Sequence, residues 1–239
     1  MSFIPKILHH THSDSAMPRE VAENISQLIE RNPGWKHQFY DDKDRFDFIR
    51  QHYDLRLLKA YNRINPMYGA ARADFFRYLL IYKVGGLYMD LKSGASKSLD
   101  EITAGHHYLL SQWDNGPGGL HEGWGTHFEN FPKGEFQQWY IAAAPGHHFL
   151  KCVIDRVLIN IENYTPERLG VGFRGVLHTT GPIPYTLAIL PVIGQGKHHY
   201  QSTNEKMGFI YNNLKVEHRN LMHTERRPHY LTLDEPVVL

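Results

Sequence analysis

The amino-acid sequence predicts an α/β fold with a mainly parallel sheet and flanking helices. Segments with the composition of strands alternate with segments in which apolar residues recur at helical spacing, and no internal repeat interrupts this alternation. The chain has 239 residues, of which 41% are hydrophobic, so it can bury a sizeable core. We therefore expect residues 1–239 to form a single domain.

The N-terminal segment predicts a strand, a helix and a second strand. FIPKILH has the composition of a strand, and the following PREVAENISQLIERN has the apolar spacing of an amphipathic helix. NPGW then turns the chain into HQFYDD, which predicts a short strand that ends in acids.

A strong helical pattern runs from Tyr68 to Val84. Two shorter helices are predicted before it, over DRFDFIRQHY and DLRLLKAYNRI. The two glycines at positions 85–86 should end the long helix, because glycine readily adopts the backbone conformation of a helix C-terminus. LYMDLK then predicts a strand.

The second half of the chain continues the alternation. HHYLLSQW and FQQWYIAAA have the composition of strands, and a helix is predicted from His147 to Asn163. Between the two strands lies a long, glycine-rich and aromatic loop, residues 111–134. Long loops in compact domains often bind ligands or cover a site.

Composition and charge exclude several classes of protein. The chain has 26 Lys and Arg residues against 25 Asp and Glu residues, so no basic field indicates a nucleic-acid partner. The lone Cys152 rules out an internal disulfide framework. MSFIPKILHH lacks the features of a signal peptide, and no segment approaches the length of a membrane span. We therefore expect a cytoplasmic protein without a transmembrane segment, for which peripheral contact with a membrane stays open.

Candidate ligand-binding residues follow the predicted strands. In open α/β sheets, ligands bind beyond the carboxyl ends of the strands. His9, Asp41 and Asp90 fall at such positions.

The long helix carries Asp74 and Arg77, which are three residues apart and therefore share a face. One interpretation is a surface ion pair on an amphipathic helix. The other is a binding site, because the helix leads directly into the strand that carries Asp90 and Lys92, and alternate residues of a strand project from the same face. These four side chains would then surround one cleft, with Arg77 contacting a ligand rather than the core.

Two further patterns predict little. GVGFRG, residues 170–175, fits the glycine pattern of dinucleotide-binding proteins, but a strand is not predicted before it and prolines follow soon after it. The 17 histidines show no spacing typical of a metal site.

The sequence resembles the family 32 glycosyltransferases, the DXD-containing sugar transferases that include yeast mannosyltransferases and bacterial capsular polysaccharide enzymes, with the large clostridial toxins as distant relatives. The specific match is ARADFFRYLLIYKVGGLYMD. The supporting matches are IPKILHHTH, NPGWKHQFYDD, KSLDEI, IAAAPGHHFL and TTGP.

The resemblance implies a GT-A fold and a retaining transfer of a hexose from a UDP- or GDP-sugar to a glycan or glycolipid acceptor. Residues 1–110 would carry most of the nucleotide-binding half and residues 111–239 the acceptor side. It also implies site residues. His9 and Asp41 would lie near the base, Asp74 and Arg77 would hold the ribose and sugar, and Asp90 would lie at the ribose and pyrophosphate.

Lys92 departs from the family pattern, which has a metal-binding aspartate at this position. Departure of the sugar leaves negative charge on phosphate oxygens, and the Lys92 ammonium could stabilise that charge. We therefore expect Asp90, Lys92 and Arg77 to be the catalytic residues. A divalent metal, Mn²⁺ or Mg²⁺, should bind weakly or be dispensable, with Asp90 and His223 as its candidate ligands.

In the loop of residues 111–134, Trp113 and Trp124 are candidates for stacking on sugar rings, and Asp114 and Glu122 for binding sugar hydroxyls. The alternative is that the tryptophans pack the loop onto the body. Two rival functions also stay open at this point. One is a non-catalytic module that binds nucleotide sugars or glycans and lost turnover through Lys92, and the other is an oxidoreductase based on GVGFRG.

Overall fold

The computed structural model describes residues 3–13, 16–128, 131, 133–218 and 229–239. In chain order, the strands of this part are β1 (Ile7–Thr11), β2 (Lys36–Tyr40), β3 (Gly86–Met89), β4 (Gly94–Ala95), β5 (Leu109–Ser111), β6 (Tyr140–Ala143), β7 (His199–Gln201) and β8 (Phe209–Ile210). The helices are α1 (Arg19–Glu30), α2 (Asp42–His52), α3 (Leu55–Arg63), α4 (Gly69–Val84), α5 (Leu99–Thr103), α6 (His148–Glu162), α7 (Pro166–Leu169), α8 (Gly172–Thr179), α9 (Pro182–Ile189) and α10 (Asn204–Met207).

The central sheet has four strands in the order β2-β1-β3-β6. β1 pairs in parallel with both β2 and β3, whereas β6 pairs antiparallel with β3. Two small sheets lie outside it, β4 with β8 and β5 with β7. The predicted α/β class with a mainly parallel sheet and flanking helices is confirmed.

α4 is the central helix of the core. The predicted helix is confirmed within one residue, but it is not amphipathic, because every residue from Asp74 to Ile81 is buried. The hydrophobic core around it draws residues from Ile49 to Val238. Both halves of the chain therefore share one core.

Gly85 and Gly86 join α4 to β3, as the sequence predicts. Their φ angles are +70° and +102°, a region that side-chain-bearing residues rarely adopt. A Cβ atom on Gly86 would also lie 2.6 Å from the carbonyl oxygen of Ile7 on β1. Glycine thus allows the chain to turn and β3 to pair closely with β1.

Asp90 and Lys92 are not on a strand, which corrects the interpretation of LYMDLK. β3 ends at Met89, and the next four residues form a turn in which the Ser93 N–H donates to the Asp90 carbonyl oxygen over 2.9 Å. The two side chains therefore do not alternate along a strand, and their directions are set by the turn.

In the second half of the chain, the structure confirms one prediction and corrects another. GVGFRG leads into α8 and follows α7 rather than a strand, so it lacks the geometry of a dinucleotide-binding turn. The stretch Gly172–Gln195 is long and apolar enough to span a membrane by length and composition alone, contrary to the sequence expectation. It is divided between α8, α9 and a following 3-10 turn, and 61% of its most apolar 18-residue window is buried inside the protein.

Candidate active site

A cavity of about 280 Å³ lies beyond the carboxyl ends of β1 and β3. Thr11 belongs to the end of β1, Asp90 follows β3, and Ala73 and Arg77 lie on α4. The C-terminal part of the chain closes it with Leu214, His229 and Tyr230. Open α/β sheets bind their ligands at this edge, so the cavity is the candidate active site.

Arg77 connects two carboxylates beneath the cavity. Its Nη2 lies 3.1 Å from Oδ1 of Asp74 and 3.4 Å from Oδ1 of Asp90. The guanidinium also lies over the ring of Tyr88, 4.5 Å from its centroid, and Tyr88 donates to Asp90 Oδ1 over 3.2 Å. Helix α4 and strand β3 are thus joined through one buried cation.

This ion pair is buried, so the interpretation as a surface pair is wrong. The side chains of Asp74 and Arg77 are only 4% and 5% exposed. Arg77 Nη1 donates to both the carbonyl and the side-chain oxygen of Gln138, each over 2.8 Å. Asp74 accepts from Thr180 and Gln138. These partners satisfy most of the polar atoms that burial would otherwise leave without a hydrogen bond.

Burial shifts the titration of both groups. Desolvation raises the pKa of Asp74 to about 6, although the charge of Arg77 and the hydrogen bond from Thr180 act against this rise. Desolvation alone would lower the pKa of Arg77, but Tyr88, Asp90 and Asp74 outweigh it and raise that pKa. The guanidinium is therefore a permanent positive charge at the wall of the cavity.

The turn from Asp90 to Ser93 is held on both sides by other parts of the chain. The buried amide of Asn24, on α1, donates to the carbonyl oxygens of Leu91 and Ser93. From the other side, the Asn213 N–H donates to the Lys92 carbonyl over 2.7 Å, and the Ser93 hydroxyl donates to the carbonyl of Tyr211 over 2.8 Å. The position of Lys92 is therefore fixed by its backbone.

The side chain of Lys92 lies between the cavity and an aromatic cluster. Its Nζ donates to the Tyr211 hydroxyl over 2.8 Å and lies 4.2 Å from the centroid of that ring. Lys92 is partly buried and lines the cavity together with Asp90. The turn thus presents one anionic and one cationic side chain to the same space.

Cations outnumber carboxylates along the described lining of the cavity. The four cations are Arg45, Arg72, Arg77 and Lys92, and the two carboxylates are Asp42 and Asp90. Asp42 is paired with Arg45, which is 2% exposed and has no hydrogen-bond partner for its Nε among the described residues. An excess of positive charge suits an anionic ligand.

The structure does not bring His9 or Asp41 to the lining of this cavity. His9 is buried, with Nε2 donating to the Gly85 carbonyl over 3.0 Å and Nδ1 accepting from Tyr40 over 3.3 Å. Desolvation lowers the pKa of His9 to about 4, so the ring is neutral. The Asp41 side chain caps α2 by accepting from the Asp44 N–H. In this structure both residues support the elements that carry the cavity.

The predicted sugar-binding residues of the long loop also lie outside the cavity lining. Asp114 accepts from the Leu120 N–H and Glu122 from the Gly118 N–H, so both stabilise turns of the loop. Trp113 packs against Tyr211, with ring centroids 4.9 Å apart, and Tyr211 in turn binds Lys92 at the cavity. Trp124 is 49% exposed and packs against Trp113.

The described residues do not form a metal site by themselves. Mn²⁺ and Mg²⁺ require several oxygen ligands, and no group of three or more His, Cys, Asp or Glu residues in the described part of the chain could hold a metal ion. At the cavity, Asp42 is paired with Arg45. The Oδ1 atom of Asp90 contacts both Arg77 and Tyr88. His223, the other predicted ligand, lies outside the described residues.

Sequence reasoning missed four residues that organise the site. Gln138 and Thr180 bind the Arg77 and Asp74 pair, Tyr211 binds Lys92, and Asn24 holds the turn that carries Lys92. No local pattern marks these residues, because each acts on a partner that is far away in sequence. Thr180 alone had a signal, since it lies in the TTGP segment that resembles family 32.

The chain is similar in sequence to known sugar transferases. Residues 18–109 match the family model described as the glycosyltransferase sugar-binding region containing DXD motif. The chain is 27% identical to inositol phosphoceramide mannosyltransferase 3 of Schizosaccharomyces pombe over 180 residues, which cover 75% of this chain and 43% of that protein. It is 25% identical to the initiation-specific alpha-1,6-mannosyltransferase of the same organism over 195 residues, which cover 78% and 48%. The chain thus spans less than half the length of these relatives.

Solved structures show the same fold. The UDP-bound glycosyltransferase domain of the YGT toxin matches with a TM-score of 0.56 at 10% identity, over 84% of this chain and 80% of that domain. The PaToxG glycosyltransferase also matches with a TM-score of 0.56, at 15% identity, over 80% of this chain and 71% of that one. The expected GT-A fold is confirmed. This chain therefore has the GT-A glycosyltransferase fold, and its residues 18–109 are similar to the sugar-binding region of the DXD-containing glycosyltransferases.

Proposed function

We propose that this protein transfers a hexose from a UDP- or GDP-sugar to a glycan or glycolipid acceptor, with retention of the anomeric configuration. The observation that carries this proposal is the cavity at the ends of β1 and β3, where Arg77 and Lys92 provide positive charge beside the carboxylate of Asp90. This combination suits a ligand with both hydroxyls and phosphates.

The charged residues of the cavity act on different atoms during the transfer. In the transfer, the bond between the sugar C1 and the diphosphate oxygen breaks, and its electron pair stays on that oxygen. A new bond forms between C1 and an acceptor hydroxyl oxygen, whose proton leaves with the diphosphate. Lys92 and Arg77 stabilise the negative charge that develops, and Asp90 accepts hydrogen bonds from donor hydroxyls.

The glycan or glycolipid acceptor is supported by the similar proteins. One is an inositol phosphoceramide mannosyltransferase and another an alpha-1,6-mannosyltransferase, as their names state. Retention is supported by the resemblance of the ARADFFRYLLIYKVGGLYMD segment to family 32. The cytoplasmic location stays a prediction, which fractionation of cells that express the native gene would test.

A panel of UDP- and GDP-hexoses tests the proposal. We expect the wild-type protein to release nucleotide from one of them slowly with water as the acceptor and faster with a suitable glycan, and NMR of the product should show the donor's anomeric configuration. Asp90→Asn should lower this rate by about 10²-fold or more, because it removes a charged partner of the donor. Asp47→Asn, on the exposed surface of α2, is the matched control.

Binding of nucleotide sugar without any release would instead indicate a non-catalytic module. Unchanged turnover in Asp90→Asn would show that the cavity is not the active site.

A further inference from the structure

We propose that Lys92, positioned by Tyr211, binds the diphosphate of the donor in place of a divalent metal ion. This inference rests on the proposed function, because it names the group that holds the leaving diphosphate in the same cavity. In many phosphoryl and glycosyl transfers, a metal ion held by carboxylates neutralises the phosphate oxygens. Here a side chain of the protein itself would carry that charge.

The charges that line the cavity do not suit a bound dication. A dication needs several oxygen ligands, whereas the described lining of the cavity offers Asp42, which is paired with Arg45, and Asp90, which contacts Arg77. Lys92 stands two positions after Asp90 in the same turn, and its ammonium would repel a dication bound at Asp90. The residues present are thus better suited to a phosphate than to a metal.

Tyr211 restrains the ammonium group of Lys92. Lysine has three N–H donors, and the Tyr211 hydroxyl accepts one of them over 2.8 Å. The contact with the Tyr211 ring, 4.2 Å from Nζ to its centroid, further restrains the side chain. No described residue accepts from the two other donors, so they can bind phosphate oxygens, and the lysine loses less rotational freedom on binding than an unrestrained side chain would.

Tyr211 itself is held rigidly by its neighbours. Its ring packs edge-on against Trp113 at 4.9 Å and Trp139 at 5.4 Å between centroids. Its carbonyl accepts from Ser93, next to Lys92 in the turn. Backbone and side chain of Tyr211 therefore act on the same turn, which makes Tyr211 a positioning residue for Lys92.

Calorimetric titration in the presence of EDTA tests this inference, with UDP and GDP as probes and uridine and guanosine as phosphate-free references. We expect wild type to bind one diphosphate more tightly than its nucleoside, and Mn²⁺ to change this affinity by less than about threefold. Lys92→Ala should lower the diphosphate affinity about tenfold or more, because a charge-assisted hydrogen bond is lost, and leave the nucleoside affinity unchanged. Lys97→Ala, whose lysine pairs with Glu101 on the surface, is the matched control.

Tyr211→Phe keeps the ring but removes the acceptor of the Lys92 hydrogen bond. It should weaken diphosphate binding several-fold while the nucleoside affinity and the urea unfolding midpoint stay near those of wild type. A purely structural role would instead lower the unfolding midpoint and weaken both ligands. Lys92→Asp should bind Mn²⁺ more tightly than wild type in the presence of the diphosphate, because a second carboxylate then faces the cavity.

The outcomes separate this inference from the proposed function. If wild type releases nucleotide from a donor but needs Mn²⁺ to do so, or if Lys92→Ala binds the diphosphate as tightly as wild type, the role of Lys92 is wrong and sugar transfer stands. If wild type binds no nucleoside diphosphate with or without Mn²⁺, both are wrong. Lys92→Asp with an Mn²⁺ affinity no higher than that of wild type also contradicts the inference.

Discussion

Arg77 shows how one side chain serves both the stability and the site of this domain. Its guanidinium is buried between Asp74 and Asp90, bound to Gln138, and still reaches the wall of the cavity. From the sequence, we expected Arg77 to contact a ligand rather than the core. The structure shows that it contacts the core as well, so its replacement should affect folding and not turnover alone.

We expect Arg77→Ala to lower the free energy of unfolding by roughly 3–5 kcal/mol, because it leaves the buried carboxylate of Asp74 without its counter-charge. Asp74→Asn removes the other charge of the pair, and the double variant should lose less than the sum of the two single variants. Urea unfolding of all four proteins measures this coupling. Strictly additive losses would show that the two charges act independently.

At the scale of elements, β1 carries two buried histidines into the central sheet. His9 and His10 are each 1% exposed. Desolvation lowers the pKa of His9 to about 4 and that of His10 to about 3. His10 Nδ1 lies 3.0 Å from His37 Nε2 on β2, and its Nε2 has no hydrogen-bond partner among the described residues. Strand β1 therefore remains neutral where the unfolded chain becomes charged.

This difference predicts loss of stability in mild acid. Between pH 6.5 and about 4, the unfolded chain binds protons at His9 and His10 that the folded protein does not bind, so stability falls as the pH falls. Asp74 acts in the opposite direction below about pH 6, because its raised pKa lets the folded state bind a proton first. Of these three groups, two bind a proton only in the unfolded chain and one binds it first in the folded protein, and His147, whose pKa desolvation lowers to about 4, adds to the loss of stability.

Urea unfolding at pH 6.5, 5.5 and 4.5 measures this slope. His10→Leu should reduce the dependence of the unfolding free energy on pH by about 1.4 kcal/mol per pH unit. Leucine binds no proton in the folded or the unfolded state, so the difference in bound protons falls by one. A slope that is the same in wild type and His10→Leu would contradict the role given to His10.

The α4–β3 unit shows which parts of the structure the sequence could predict. The length of α4 and its end at Gly85 follow from local apolar pattern and from the glycine pair, and both are confirmed. The end of β3 at Met89 could not be predicted in this way. The turn that follows depends on Asn24 and Tyr211, whose hydrogen bonds reach it from remote parts of the chain.

The candidate site shows the same contrast between features set by local sequence and features set by remote contacts. Local pattern and family resemblance predicted Arg77, Asp90 and Lys92, which the structure brings to one cavity. The same reasoning predicted that His9 and Asp41 bind the ligand. In the structure, His9 is hydrogen-bonded to the Gly85 carbonyl, and Asp41 caps the start of α2. The approximate region of a strand end can be predicted from sequence, whereas the exact end of the strand and the direction of a side chain depend on tertiary packing.

At the scale of the whole molecule, the C-terminal segment joins the N-terminal half. The Tyr68 hydroxyl, at the start of α4, donates to the Glu235 carbonyl and accepts from the Gly172 N–H. The backbone of Asn65 bonds to Val237. The lining of the cavity extends from Thr11 to Tyr230, and the assignment of residues 1–110 to the nucleotide and of residues 111–239 to the acceptor stays a prediction.

Because residues from both ends of the chain line the cavity, a bound ligand should raise the thermal stability of the entire domain. A ligand at a hundredfold its Kd adds about 2.7 kcal/mol to the folded state, which corresponds to a rise in Tm of about 5–10 °C for a domain of this size. Differential scanning fluorimetry can therefore rank UDP, GDP and their sugars before any acceptor is known. We expect one nucleotide series to raise Tm in wild type and to raise it by several degrees less in Lys92→Ala. Equal Tm shifts in the two proteins would mean that the ligand does not contact the lysine.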